Sequence, residues 1–519
     1  MSFLTHESWH RSILKSLLSS PADYKELLLY SYKHVMHGFI ARLTYSQLTE
    51  IEKSPAHLAI YPESLGKLLT TYSPKFLGLQ QNFSIWPAAS YGGVRYSHGY
   101  CRITPYGEDV IVGIIDTRIW PESESFHDEG MSPVPHRWKG KCENGTAFSP
   151  STCNKKLIGA RSFSKGLQAA GIKISKEQDF NSARDFYGHG THTSSTAVGN
   201  HVHGVSYFGY ARGIARGVAP GAHLAMYKVG WATDTELTLA TDVLAGMEQA
   251  ILDGVDIMSL SVGFNQTSYF KDIIAIGSLS AIDKGIFVVC SADNDFGFRT
   301  ILNGAPWITT VGAGTLDWSF QATMTLENGI SFEGISYFLE SVLITDLHLY
   351  YGKGNMSKAI CNHITLDRKE VARKVVCDYS TKIEVSQQMM EVERVGAYAA
   401  IFLTDISFSL SLKEYSIPGI LLPTASGTLH APQVANFSSK GPSPISPGVL
   451  KPDILAPGVD VLAAFVPSKP IIQVGKYYLA SDYALESSTS MSTPHVVGIG
   501  ALLKAVHPEW SPAAIRSAM

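Results

Sequence analysis

Beyond residue 107 the chain follows a regular alternation. The runs EDVIVGIID (108–116), HLAMYKVG (223–230), DIMSLSVG (256–263), IFVVCSA (286–292) and WITTVGAG (307–314) are short and largely apolar. Strands that lack a polar face are buried on both sides. Between them lie LTLATDVLAGMEQAIL (237–252), with Leu239, Val243, Met247 and Ile251 at helical spacing, and KDIIAIGSLSAIDKG (271–285). Apolar strands alternating with amphipathic helices predict an α/β protein with a parallel sheet flanked by helices. In such sheets the working residues gather at the C-terminal ends of the strands.

Two regions break this rhythm. Residues 1–69 read as a small α+β unit, with strands at HGFIARL (37–43) and HLAIYPE (57–63). A helix between them is opened by Thr44, with Gln47 three residues on in a capping-box pattern. KLLTTYSPKFLGL (67–79) reads as an extended linker. Residues 321–430 are β-rich and full of turns, with strands expected at ATMTLENGISFEG, KVVCDYS and VGAYAAIFLTD. The parallel-sheet pattern is expected to resume at APQVANFSSKGP (431–442) and KPDILAPGVDVLAAF (451–465).

Composition narrows the function classes. The 519 residues are 45% hydrophobic and 17% charged, with a net charge of −3. Wholesale disorder is excluded, and no basic block suggests nucleic acid or an anionic membrane surface. No apolar run is long enough to span a bilayer, and the N-terminus lacks the apolar core of a leader. No cluster has metal-ligand spacing, so no cofactor or metal is implied. Sequons begin at Asn82, Asn144, Asn265, Asn355 and Asn436. Cys142 with Cys153, and Cys361 with Cys377, are close enough in sequence to pair in an oxidising compartment; otherwise they stay free thiols.

An Asp, a His and a Ser stand at element ends. Asp116 closes the first apolar strand, His189 opens a helix in DFYGHGTHTSS, and Ser490 lies in SSTSMSTPH, where Pro494 fits the first turn of a helix. A serine at a helix N-terminus is commonly a cap. The same place also offers free backbone N–H groups that favour a developing oxyanion. A serine hydroxyl attacks only when a base such as imidazole takes its proton, and a buried carboxylate fixes that base. The text around Ser490 carries no G-x-S-x-G elbow, which weighs against an esterase or lipase.

The segments VGIIDTRIWPES, GHGTHTSSTAVG, NGAPWITTVGA, FSSKGPSPISPGVLKPDILAPGVDVLAA and TSMSTPHVVGIGALLKAVHPEWSPAAIRSAM resemble a plant subtilase, a subtilisin-like serine endopeptidase, over nearly the whole chain. The resemblance implies an inhibitor-type propeptide over 1–69, a catalytic domain over 70–320 and 431–519, and a protease-associated insert over 321–430. It implies Asp116, His189 and Ser490 as a catalytic triad, and Asn294 as side-chain oxyanion donor. Ser259, Leu260, Ser261, Val262 and Gly263 would form an edge strand that pairs with substrate. The propeptide junction would fall between Leu69 and Thr70. Peptide or protein substrates, the chain's own propeptide as inhibitor and secretion to the cell wall space follow from the same resemblance.

The chain departs from the family pattern at three glycines, replaced by Arg118, Asp293 and Ser488. Glycine at such points permits positive φ or close backbone approach. The substitutions raise the alternative of a catalytically impaired homologue that binds peptides or partners. Arg118 would either crowd the Asp116 turn or offset Asp293. GVRYSHGYCRITPYG (93–107) reads as a surface loop or a retained intron, and the insert as shortened between Ser426 and Thr428. The first propeptide strand, a leader and a C-terminal fibronectin-like domain are expected to be missing.

Overall fold

The computed structural model describes residues 6–16, 28–32, 38–41, 43–53, 106–232, 236–340, 342–371, 374–378, 385–404, 417–423, 432–474 and 476–519. The chain divides into two units, Met1–Lys67 and Leu68–Met519.

In the first unit, helix α1 (His6–Ser16) is followed by strands β1 (Leu28–Tyr32) and β2 (Gly38–Ala41), which pair antiparallel. Helix α2 (Tyr45–Glu52) begins at the expected capping box. Gln47 N–H reaches Thr44 Oγ1 at 3.4 Å, and Gln47 Oε1 accepts from Thr44 N–H at 2.8 Å. Two orphan helix donors are thereby satisfied. Helix α1 and strand β1 were not anticipated. The strand expected at HLAIYPE and the junction at Leu69 and Thr70 lie outside the described residues.

The second unit is built on a sheet of seven parallel strands. In chain order its elements are β3 (Ile111–Asp116), β4 (Leu157–Ser162), helix α3 (His189–Val198), β5 (His223–Lys228), α4 (Ala240–Asp253), β6 (Ile257–Leu260), α5 (Ile273–Asp283), β7 (Phe287–Ser291) and β8 (Thr309–Gly314). After the insert come β15 (Ile454–Pro457) and helix α7 (Thr489–Val506), the elements of the insert being numbered between. The strand order is β15-β8-β7-β6-β3-β5-β4. The chain leaves β3 toward one edge and later returns to its other side, so the C-terminal end of β3 is a topological switch point, where such sheets place their ligands.

Alternation along the strands sorts the core. Val112, Ile114, Leu224, Met226, Val289 and Val311 pack with Ala197 and Val198 of α3 and Val496 and Val497 of α7. Ile111, Ile115, Ala225, Met258 and Val288 face the other way, onto Val243 and Met247 of α4 and Ile274 of α5. A period of two thus fills both faces, and each fully buried aliphatic side chain contributes about 1.5–3 kcal/mol. Gly498 lets α7 pack closely on α3 and on Val218 beyond it: a Cβ there would lie 2.4 Å from Val218 Cβ and 2.9 Å from the Ala197 carbonyl.

The insert forms a separate mixed sheet. Strands β9 (Gln321–Thr325), β10 (Ser331–Ile335), β11 (Leu349–Tyr350), β12 (Lys374–Asp378), β13 (Ala399–Thr404) and β14 (Gly419–Pro423), with helix α6 (Val385–Arg394), give the order β9-β10-β14-β13-β12-β11. APQVANFSSKGP does not become a sheet strand as expected. Val434 makes an isolated antiparallel bridge to Gly314, and Ala435 N–H reaches the Ala313 carbonyl. The segment pairs antiparallel with the end of β8 without forming an extended strand.

Candidate active site

Asp116 is the last residue of β3, and His189 the first of α3. Their side chains meet at 2.7 Å, Nδ1 to Oδ1, with Asp116 almost fully buried and His189 a quarter exposed. The same Oδ1 accepts from the Thr117 N–H at 2.6 Å, and Oδ2 accepts from Thr193 Oγ1 at 3.0 Å. Burial opposes the charge of Asp116, but His189, Thr117 and Thr193 outweigh it and hold the carboxyl below its ordinary value. An acceptor carboxylate fixes the proton of His189 on Nδ1 and leaves Nε2 able to accept one.

Thr193 escaped the sequence reading. Its signal was the i, i+4 spacing from His189, which puts both on one helix face. Asp185 lies four residues before the first residue of α3. It is fully buried and caps α3, accepting at Oδ1 from Tyr187 N–H (2.8 Å) and Gly188 N–H (2.9 Å), and at Oδ2 from the Thr191 hydroxyl. Its neighbour Arg184 pairs with Glu122 and lies 4.8 Å from the Trp120 ring.

Ser490 is the second residue of α7 and is 7% exposed. Pro494 is the sixth residue of that helix, not in its first turn as expected. Having no N–H, it cannot bond the carbonyl four residues back, that of Ser490. The Ser261 hydroxyl takes that place, 3.3 Å from the Ser490 carbonyl.

Asn294, just past the end of β7, clamps the start of α7. Its Oδ1 accepts from Thr489 N–H at 2.8 Å and from Thr489 Oγ1 at 3.1 Å. An N–H can only donate, so the opposite atom is Nδ2, and it donates to Ser488 Oγ at 3.0 Å. Ser488 is the N-cap of α7, and the same Oγ accepts from the Ser490 N–H, also at 3.0 Å.

The edge strand expected over Ser259–Gly263 is corrected by the topology. Ser259 and Leu260 end β6, a central strand bonded to β3 on one side and β7 on the other, and both are buried. Ser261, Val262 and Gly263 follow the strand end, outside the sheet.

The missing glycines separate into different cases. Ser488 has φ of −176°, ordinary extended backbone, so no strain arises there. Asp293 has φ of +85°, the left-handed region that glycine favours. Burial and then Asp295 push the Asp293 carboxyl up, against the Asn294 N–H that lowers it. Arg118 offsets neither Asp293 nor its charge: its side chain is fully buried and pairs with Asp179 at 3.0 Å.

Two other histidines, His192 and His495, are held by backbone carbonyls. His192 Nε2 donates to the Val461 carbonyl at 2.8 Å, and burial lowers its pKa to about 3. His495 lies 2.9 Å, through Nδ1, from the Met491 carbonyl, and burial lowers its pKa to about 4. Cys142 and Cys153 form a disulfide. Cys361 is also disulfide-bonded, while the side chain of Cys377 lies outside the described residues. Among the described residues no group of three His, Cys, Asp or Glu is placed to hold a metal ion, and no helix is long and apolar enough to cross a membrane.

A buried carboxylate and a histidine at the switch point of a seven-stranded parallel sheet, with a serine-bearing helix packed beside them, define a class of α/β hydrolytic enzymes. The Subtilase family profile matches residues 107–519, and this chain belongs to that family. The Peptidase inhibitor I9 profile matches residues 2–68, in agreement with an inhibitory propeptide. Over its full length the chain is 40% identical to Subtilisin-like protease SBT1.7 of Arabidopsis thaliana, covering 70% of that protein. It is 39% identical to Subtilisin-like protease SBT3 of Solanum lycopersicum, covering 69%. Among solved structures, S41 Psychrophilic Protease aligns over 79% of this chain and 82% of its own, at 16% identity and a TM-score of 0.38.

Proposed function

We propose that the chain is a serine endopeptidase whose triad is Asp116, His189 and Ser490. Ser490 Oγ attacks the peptide carbonyl carbon while His189 Nε2 takes its proton, and the carbonyl π pair moves onto oxygen. His189 then returns the proton to the leaving amine, giving an acyl-enzyme that water hydrolyses by the same path. Asp116 holds the imidazole and steadies the imidazolium. The Ser490 N–H and Asn294 Nδ2 are the oxyanion donors. The observation that carries this reading is the 2.7 Å hydrogen bond between a buried Asp116 and His189. It is supported by the packing of α3 against α7, whose first turns hold His189 and Ser490.

Residues before the Leu69–Thr70 junction act as the chain's own inhibitor, released by cleavage there. Ser261–Gly263 line the groove for substrate backbone. The Cys142–Cys153 disulfide fits an oxidising, extracellular setting. A second reading, a subtilase that binds peptides without turning them over, is favoured by the side chains at positions 293 and 488.

The test is labelling of the folded chain with a peptidyl phosphonate, followed by peptide mapping. An adduct on Ser490 that is lost in H189A supports the endopeptidase reading. Folded protein with no Ser490 adduct overturns it in favour of peptide binding alone.

A further inference from the structure

Two hydrogen-bond donors converge on one oxygen at the start of α7. Asn294 Nδ2 and the Ser490 N–H both lie 3.0 Å from Ser488 Oγ. They are the two groups that the endopeptidase reading assigns to the oxyanion, so this inference rests on that reading. Asn294 cannot readily turn away, because its Oδ1 is held by the Thr489 N–H and the Thr489 hydroxyl. The backbone of Ser488 is also held, its N–H donating to the Gly458 carbonyl at 2.8 Å. Only the Ser488 side-chain torsion is left to move the hydroxyl.

We propose that the Ser488 hydroxyl is an internal occupant of the oxyanion site and a determinant of turnover. When Ser490 Oγ bonds to the carbonyl carbon, the carbonyl oxygen gains a full charge and needs both donors at about 2.7–3.1 Å. A single N–H satisfied by a neutral hydroxyl is not free to meet it. The hydroxyl must rotate out, breaking two hydrogen bonds, before the transition state is stabilised. Since the obstruction acts on the oxyanion and not on the bound peptide chain, it lowers kcat while leaving KM nearly unchanged. The same hydroxyl is the helix cap, which gives it a structural reason to stay.

Glycine is nearly as good an N-cap as serine, so S488G removes the hydroxyl without endangering the fold. S488A removes it and keeps Cβ, while S488T keeps a hydroxyl. On a chromogenic peptide anilide, S488G and S488A are expected to raise kcat roughly ten- to a hundredfold, the scale of two neutral hydrogen bonds. S488T stays slow. Independently of catalysis, the Asn294 side-chain amide resonance, assigned by its loss in N294A, is expected to shift in S488A and to hold its position in S488T.

An Asn294 resonance that is identical in wild type and S488A overturns the proposal, because the hydroxyl is then not bound. So does a shifted resonance with no gain in kcat in an S488G protein whose Ser490 takes the phosphonate label. An S488G protein that folds but leaves Ser490 unlabelled overturns the endopeptidase reading and the catalytic role of Ser488 together, while the resonance still reports whether the hydroxyl sits on Asn294.

Discussion

Arg118 and Asp179 meet 3.0 Å apart in the interior, and neither side chain reaches solvent. Lys228, equally buried, donates to the other oxygen of Asp179 at 2.8 Å and to the carbonyls of Phe180 and Ser182 at 2.9 Å each. One carboxylate thus serves two cations, of which Arg118 lies two residues beyond Asp116. Removing a shared counter-charge leaves both cations uncompensated, whereas removing one cation leaves a complete pair. D179N is therefore expected to lower unfolding stability by about 3–5 kcal/mol. R118M is expected to change it by less than about 1 kcal/mol or to stabilise. Urea unfolding of the two variants checks this. Equal losses would show that Lys228 alone does not compensate Asp179.

The buried histidines set an acid limb. His192 and His495 titrate near 3 and 4 in the folded chain, both lowered chiefly by burial, against an ordinary 6.5. Below 6.5 the unfolded chain takes up protons that the folded chain refuses. Stability present above pH 6.5 is therefore lost as pH falls toward 4, by roughly 1.4 kcal/mol per pH unit for each histidine. H192Q keeps an N–H donor for the Val461 carbonyl and does not titrate. Its stability, followed by denaturant unfolding from pH 7 to 4.5, should fall less steeply than that of wild type. A parallel decline would assign the acid limb to other groups.

Asp293 carries backbone strain that glycine would not. At φ of +85°, replacement by glycine is expected to raise stability by about 1 kcal/mol. D293G also removes a carboxyl beside Asn294, so turnover on a peptide anilide should rise. A thermal melt that falls, with turnover unchanged, would show that the Asp293 carboxyl contributes more than its backbone costs.

Asp116 tests the triad through protonation rather than contact. D116N keeps the size and the place at the end of β3, but its amide no longer fixes the proton of His189 on Nδ1. A drop in kcat of about 10⁴ with little change in KM is expected. If kcat falls less than tenfold, His189 does not depend on Asp116 for its tautomer.

Much of this architecture was legible in the chain. The apolar runs that became β3, β5, β6, β7 and β8 have β-branched residues and no polar face, and α4 and α5 lie where the helical spacing put them. Asp116 and His189 were visible as polar residues at element ends. Less visible was what depends on strand order. Ser259 and Leu260 were read as an edge, yet β6 lies between β3 and β7, since the run of apolar residues is the same in both places. APQVANFSSKGP carried strand-like text, but its hydrogen bonds go to the end of β8 and to the loop after β7.

Local sequence determined the elements and the chemical groups they offer, because periodicity and capping act over a few residues. Which groups meet was decided by tertiary structure. Arg118 found Asp179 rather than Asp293, Ser261 took the carbonyl that Pro494 could not bond, and Ser488 Oγ lay between Asn294 and the Ser490 N–H. Each of these contacts, apart from that of Ser488 with Ser490, joins segments far apart in the chain, and its partner is chosen by the packing of the sheet and helices, which no short window of sequence contains.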